Sequence, residues 1–173
     1  MIRWELDNAV ICQGFDGLLW LFVSAVTLHM IEELIWLPAW SQAAGRWHEP
    51  VGRRPFAFAT AVMLLFLYII SYLAANAAPE SGSIYLVCGL AQVMLINIFW
   101  PHLGATIAQR RYAPGLATSL LFILPTASLL LWRAFEDNAI SMPRYGVVAA
   151  GILLGTAVIW PALLRIGKRL PGN

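Results

Sequence analysis

Charge is scarce in this sequence. Only 12% of its 173 residues are Asp, Glu, Lys or Arg, against 60% hydrophobic, which excludes an ordinary water-soluble domain, where about a quarter of residues are charged. The basic residues are spread along the chain rather than gathered into a patch, so no nucleic-acid partner is expected. Cysteine is nearly absent. Cys12 and Cys88 are the only two, which offers neither a disulfide framework nor a thiolate zinc site, and both read as small buried hydrophobes. No Gly-rich phosphate loop, nucleophile elbow or CxxC pair appears.

What the chain has instead is five long apolar runs, at about 17–39, 55–77, 83–109, 114–133 and 145–166. Each approaches or exceeds the roughly 20 helical residues that cross a bilayer core of about 30 Å. The runs are continuous, unlike the alternating segments of a membrane barrel, so each must satisfy its backbone as a helix. The expected fold is an all-α integral membrane protein, a five-transmembrane-helix bundle forming a single membrane domain over 1–173. The first run lacks a basic leading segment and a small-residue cleavage site, so it is expected to be kept.

Basic residues mark cytoplasmic loops. Arg46, Arg53, Arg54, Arg110, Arg111, Arg165, Lys168 and Arg169 fall on one side, and Arg3, Arg133 and Arg144 on the other. This places the N-terminus outside and the C-terminus in the cytoplasm. Trp36, Trp40 and Trp47 then form one interfacial belt and Trp20 and Trp132 the other, while Trp100 and Trp160 are candidates for packing inside.

The stretch LHMIEELIW, residues 28–36, sets His29, Glu32 and Glu33 inside the first span. Positions three and four apart share a helix face, so the three are expected to address one neighbour. An ionised side chain near the centre of a span costs about 2.5–3.5 kcal/mol on insertion scales, so the pair of acids needs protons or a divalent cation. The third span brings Asn97 and His102 to a similar depth. Two carboxylates and two neutral imidazoles around a divalent ion sum to zero charge, and His and carboxylate donors suit zinc more simply than iron. The expected metal ligands are His29, Glu33 and His102 around one divalent metal, with Glu32 as general base and Asn97 positioning substrate or water. Asn97 and His102 are five positions apart, about 140° around a regular helix, so they meet only if Pro101 breaks the turn. Gln92, Thr106, Gln109 and Tyr112 read as structural, and Gly146, Gly151 and Gly155 as packing the fifth helix closely, within the chain or across a homodimer.

HMIEE in the first span, NIFWPH in the third and RRYAPG after it resemble the HXXEE domain family of small membrane proteins, over roughly residues 20–135. The resemblance implies a membrane fold, in a bacterium the inner (plasma) membrane, and a site at His29, Glu32, Glu33, Asn97 and His102. It implies no substrate. A fainter similarity, to intramembrane CAAX-type proteases, stops at the Glu pair, because EELIWL lacks the Arg those enzymes carry after it.

Three functions remain open on these residues. One is a membrane-embedded metal-dependent enzyme, most simply a hydrolase, taking a lipid or other hydrophobic substrate from the cytoplasmic half of the bilayer, with Arg110 or Arg111 near an anionic headgroup. The second is a small proton-coupled transporter. The third is a non-catalytic membrane partner whose polar cluster sets helix register.

Overall fold

The computed structural model describes residues 2–170, with side chains from Phe15 onward; the expectation for Cys12 lies outside the described side chains. The fold is an all-α bundle of five long apolar helices, consistent with a five-span membrane protein. These are α1 (Ile2–Ser41), α2 (Arg53–Ala75), α3 (Gly82–Gln109), α4 (Leu116–Glu136) and α5 (Met142–Arg169). A short turn of tight helix, Gly45–Trp47, interrupts the first connection.

Helix α4 packs on α1 and α3, α2 packs on the same two helices, and α5 packs on α2 and α3. Leu19, Phe22, Tyr85, Val87, Ile98, Ile123 and Leu130 are buried at the centre. Large apolar side chains such as Leu121, Val147, Leu154 and Val158 remain exposed, as a lipid-facing surface requires.

Two helices are broken where proline removes a backbone donor. In α3 the turn Ile98–Leu103 is π-helical around Pro101, Trp100 is extended (φ −137, ψ 117), and the Gly104 N–H reaches back to the Phe99 carbonyl. In α4 the turn Ser119–Ile123 is also π-helical, with the Leu124 N–H on the Ser119 carbonyl, immediately before Pro125. Such wide turns admit an extra residue per turn and often mark functional sites.

The tryptophan expectations need amendment. Trp40 is buried at 5% exposure rather than lying in a belt, while Trp100 is thrown out of α3 by the break and stacks on Trp47, with ring centroids 4.5 Å apart. Trp160 is partly buried against Phe56. Of the two ways expected for the glycines of α5 to pack, the one within the chain is not seen: an added Cβ at Gly146, Gly151 or Gly155 would meet nothing within 4 Å. Close approaches are made instead by Gly89 of α3, where an added Cβ would lie 2.3 Å from Ile152, and by Gly167 of α5, where it would lie 2.7 Å from the Pro55 backbone.

At the end of the bundle away from the RRYAPG loop, Tyr85 ties two connections together. Its hydroxyl donates to Glu80 Oε2 (2.6 Å) and accepts from the Ser141 N–H (2.7 Å), while Arg144 donates to the Glu80 carbonyl (2.8 Å). Tyr85→Phe leaves the Ser141 amide without this acceptor and is expected to cost about 1–3 kcal/mol, read as a lowered unfolding midpoint in detergent with metal content unchanged.

Candidate metal centre

His29 and Glu33 lie one helical turn apart on α1, and the break in α3 turns His102 toward them. All three are buried, at 0%, 7% and 2% exposure. The His29 and His102 rings stand edge to face, with centroids 5.1 Å apart. His102 Nε2 is 3.4 Å from Glu33 Oε1, and His29 Nε2 is 3.7 Å from Glu33 Oε2. One donor atom from each residue falls within 4.8 Å of the others.

The remaining ring nitrogens decide what these atoms can do. His29 Nδ1 donates to the Gly115 carbonyl (3.2 Å), with the Thr118 and Ser119 hydroxyls at the same distance. His102 hydrogen-bonds the Pro114 carbonyl, and because its Nε2 faces Asn97 and Glu33, that bond falls to Nδ1. Consecutive carbonyls thus hold both imidazoles in one tautomer, proton on Nδ1 and lone pair on Nε2. This is the outer-shell arrangement that orients metal-binding histidines. His29 Nε2 is buried without a hydrogen-bond partner, a costly condition for a polar atom unless something else takes its lone pair.

The spacing fits an ion. Two ligand atoms each about 2.0–2.1 Å from a tetrahedral zinc lie about 3.4 Å apart. The Glu33 contacts, 3.4 Å from His102 Nε2 to Oε1 and 3.7 Å from His29 Nε2 to the other oxygen, Oε2, are near that separation and exceed the 2.7–2.9 Å of a charge-assisted hydrogen bond. The cluster is a tridentate His-His-Glu site able to bind one divalent metal.

Glu32 is placed differently from the expectation. Adjacent helical residues diverge by 100°, and while Glu33 faces His102, Glu32 faces the RRYAPG loop and the start of α4. Its Oε1 accepts from the Tyr112 hydroxyl and the Gly115 N–H (2.8 Å), and its Oε2 from the Thr118 N–H (3.2 Å) and hydroxyl (2.6 Å). A carboxylate offers about four lone-pair sites, and four donors fill them. The zero-charge balance expected from two carboxylates is therefore not the geometry seen: one divalent ion with Glu33 and two imidazoles keeps one positive charge. Asn97 does meet His102, Nδ2 to Nε2 at 3.0 Å, across the broken turn.

The loop that carries these anchors was legible only as a turn. Arg110 ends α3 in the left-handed region (φ 49), and Gly115 opens α4 at φ 93. Both imidazole Cε1 atoms press on Gly115, where an added Cβ would lie 2.6 Å from one and 2.7 Å from the other. Tyr112, read as structural, is part of the support, and its hydroxyl also accepts from the Ala117 N–H (3.0 Å). Thr106 and Gln109 brace the loop, through the Ala113 N–H and the Ala44 carbonyl, and Gln92 accepts from Tyr145. Arg110 and Arg111 are exposed.

A cavity of about 550 Å³ opens beside the cluster, lined by Glu33, Asn97 and His102 among mostly apolar side chains of α1, α2, α3 and α5. His48, which the sequence reading passed over, lines it too. Its Nδ1 donates to the Glu49 carbonyl (2.6 Å), leaving the lone pair on Nε2. The available signal was that it is the third of only three histidines.

Fold and site together define a helical integral membrane protein with a buried His-His-Glu cluster capable of holding a divalent ion. Residues 20–130 match the family described as a protein of unknown function with HXXEE motif, and the chain belongs to that family. It is 36% identical over 152 residues to the uncharacterized protein YrkK of Bacillus subtilis (strain 168), covering 86% of this chain and 94% of that one. No solved structure matches the chain.

Proposed function

We propose that the protein is a membrane-embedded, metal-dependent enzyme, most simply a hydrolase, acting on a lipid or other hydrophobic substrate reached from the cytoplasmic half of the bilayer. The observation that carries this reading is the unpartnered Nε2 of His29, buried 3.7 Å from Glu33 with its ring fixed from behind. A structural polar cluster would close that atom with a hydrogen bond.

In this reading His29, Glu33 and His102 hold zinc. When bound, the ion activates a water and polarises a substrate oxygen. Asn97, whose amide lies 3.0 Å from His102 Nε2 at the cavity wall, would orient substrate or water beside the ligands. Glu32, with its acceptors filled, serves as a positioning residue that fixes Gly115 and Thr118 behind His29. Arg110 and Arg111 are outside the cavity lining, so headgroup binding is not assigned to them.

The test is elemental mass spectrometry of untagged protein purified without chelator, beside His102→Ala. Near-stoichiometric zinc that the variant loses supports the reading. Folded wild-type protein free of metal, and unable to take up added zinc, overturns it in favour of proton-coupled transport through Glu33.

A further inference from the structure

Helix α5 leans on different neighbours at its two ends. Toward its start it meets α3, where Ile152 comes so close to Gly89 that an added Cβ would lie 2.3 Å away, and the Tyr145 hydroxyl donates to Gln92 across the same pair of helices (2.6 Å). Toward its end it has crossed to α2. Trp160 packs edge to face on Phe56, with ring centroids 5.6 Å apart, and a Cβ at Gly167 would lie 2.7 Å from the Pro55 backbone. Glycines permit such close approaches between helices. A helix held on α3 near its start and on α2 near its end must draw away from α3 beyond the first of these contacts.

Exposure shows that the cavity opens into the gap so formed. The cavity-lining residues of α1 and α2 are all buried or half-buried, whereas Ile96 and Trp100 of α3 are 39% and 61% exposed, and Leu153 and Ala157 of α5 are exposed too. These four are the exposed members of the lining, two on each of the diverging helices. The Trp100 side of the mouth is made by the broken turn, whose extended backbone carries the ring out of α3 and onto Trp47.

Depth decides what can use such a mouth. Leu153 and Ala157 lie about 17 and 23 Å along α5 from Met142 at 1.5 Å per residue, and Ala157 is about 18 Å short of Arg169. The opening is therefore at mid-span, at the level of the hydrocarbon. None of its four side chains is charged. A water-soluble molecule would have to give up its hydration to reach it, while a lipid chain is already there. The contrasting route, from the water-facing side, would pass His48 on the first connection, which is half-buried at the cavity wall.

We propose that the gap between α3 and α5 is a lateral portal, through which the hydrocarbon chain of a bilayer lipid enters the cavity past Ile96, Trp100, Leu153 and Ala157. The substrate thus reaches the His-His-Glu cluster from within the membrane and not through the loops. This deepens the metalloenzyme reading and rests on it for what happens to the lipid, although entry of the chain stands on the helix geometry alone.

The test uses nanodiscs of dioleoyl phosphatidylglycerol doped with a phosphatidylglycerol that carries a diazirine midway along one acyl chain. After irradiation the adducts are mapped by peptide mass spectrometry, on protein as purified and after chelation, with zinc content measured on every sample. In the wild type, adducts are expected on the cavity wall at Val26, Met30 and Leu67 as well as on the exposed face at Leu121, Val147 and Leu154. Ile96→Trp and Ala157→Trp, one from each bank of the portal, should reduce the wall adducts to background and leave those of the exposed face unchanged. Val158→Trp, beside Ala157 but outside the lining, should keep both sets. Absence of wall adducts in the wild type, wild-type levels of them in both portal variants, or their equal loss in Val158→Trp overturns the proposal. Wall adducts on protein that never takes up zinc remove the metal reading and leave the portal standing; zinc without wall adducts does the reverse.

Discussion

Gly115→Ala is expected to empty the site. The residue sits at φ 93, a backbone region that costs an L side chain about 1–2 kcal/mol, and its Cβ would enter the space of both imidazoles at 2.6 and 2.7 Å. Neither ring can retreat cheaply, because each is fixed through the other face of the same loop, His29 to the Gly115 carbonyl and His102 to that of Pro114. The displacement falls on the ligand atoms, where misplacing an outer-shell partner alone typically costs 10–100-fold in metal affinity. Zinc retention against a graded chelator should fall by about 100-fold or more, with a lowered unfolding midpoint. An alanine variant with wild-type zinc affinity and midpoint would show that the loop does not set the rings. Gly17, inside α1 where an added Cβ meets nothing, is the control: Gly17→Ala should leave zinc affinity unchanged and should not lower the midpoint, since Ala is the better helix former.

The number and kind of helices were legible because apolar length is a one-dimensional property, readable wherever about 20 residues run without charge. The His29–Glu33 pairing was legible for the same reason, as a spacing within one helix. His102 joined the site as expected because Pro101 announced a break, and the break does bring it back to Asn97. What the sequence hid were the roles that depend on direction across helices. Glu32 and Glu33 are adjacent letters with one chemistry, and only the position of α4 decides that one clamps a loop while the other faces the cavity. Pro114 and Gly115 act through carbonyls that every residue possesses, so nothing in their side chains signals a second layer around a metal. Trp40 and Trp100 exchanged their expected places because the broken turn of α3 expels one ring, an event with no local signature beyond the proline beside it.

The two glutamates should therefore fail in different ways. Glu33→Gln removes the carboxylate that faces both histidines and is expected to abolish zinc binding, while with zinc removed from both proteins the variant should unfold near the wild-type midpoint, since a neutral amide of the same shape carries no buried charge to desolvate. Glu32→Gln should do the opposite in kind. Its amide NH₂ would confront at least one of the four donors now satisfied by Glu32, among them the Gly115 and Thr118 N–H groups, at a cost of about 1–3 kcal/mol for a donor left unpaired. Zinc affinity should drop by about 10–100-fold as the loop loosens, with the metal recoverable at higher zinc. Tyr112→Phe removes one of the same four bonds and should lie between wild type and Glu32→Gln. Tyr112 also sets a pH limit: burial and then the Glu32 carboxylate push its phenol up to about 12, so its donated bond contributes fully below about pH 10 and is lost as the pH climbs toward 12. Equal zinc loss at Glu32 and Glu33, unrecovered by excess zinc in both, would place the two carboxylates on the ion together and undo the division of labour drawn from the geometry.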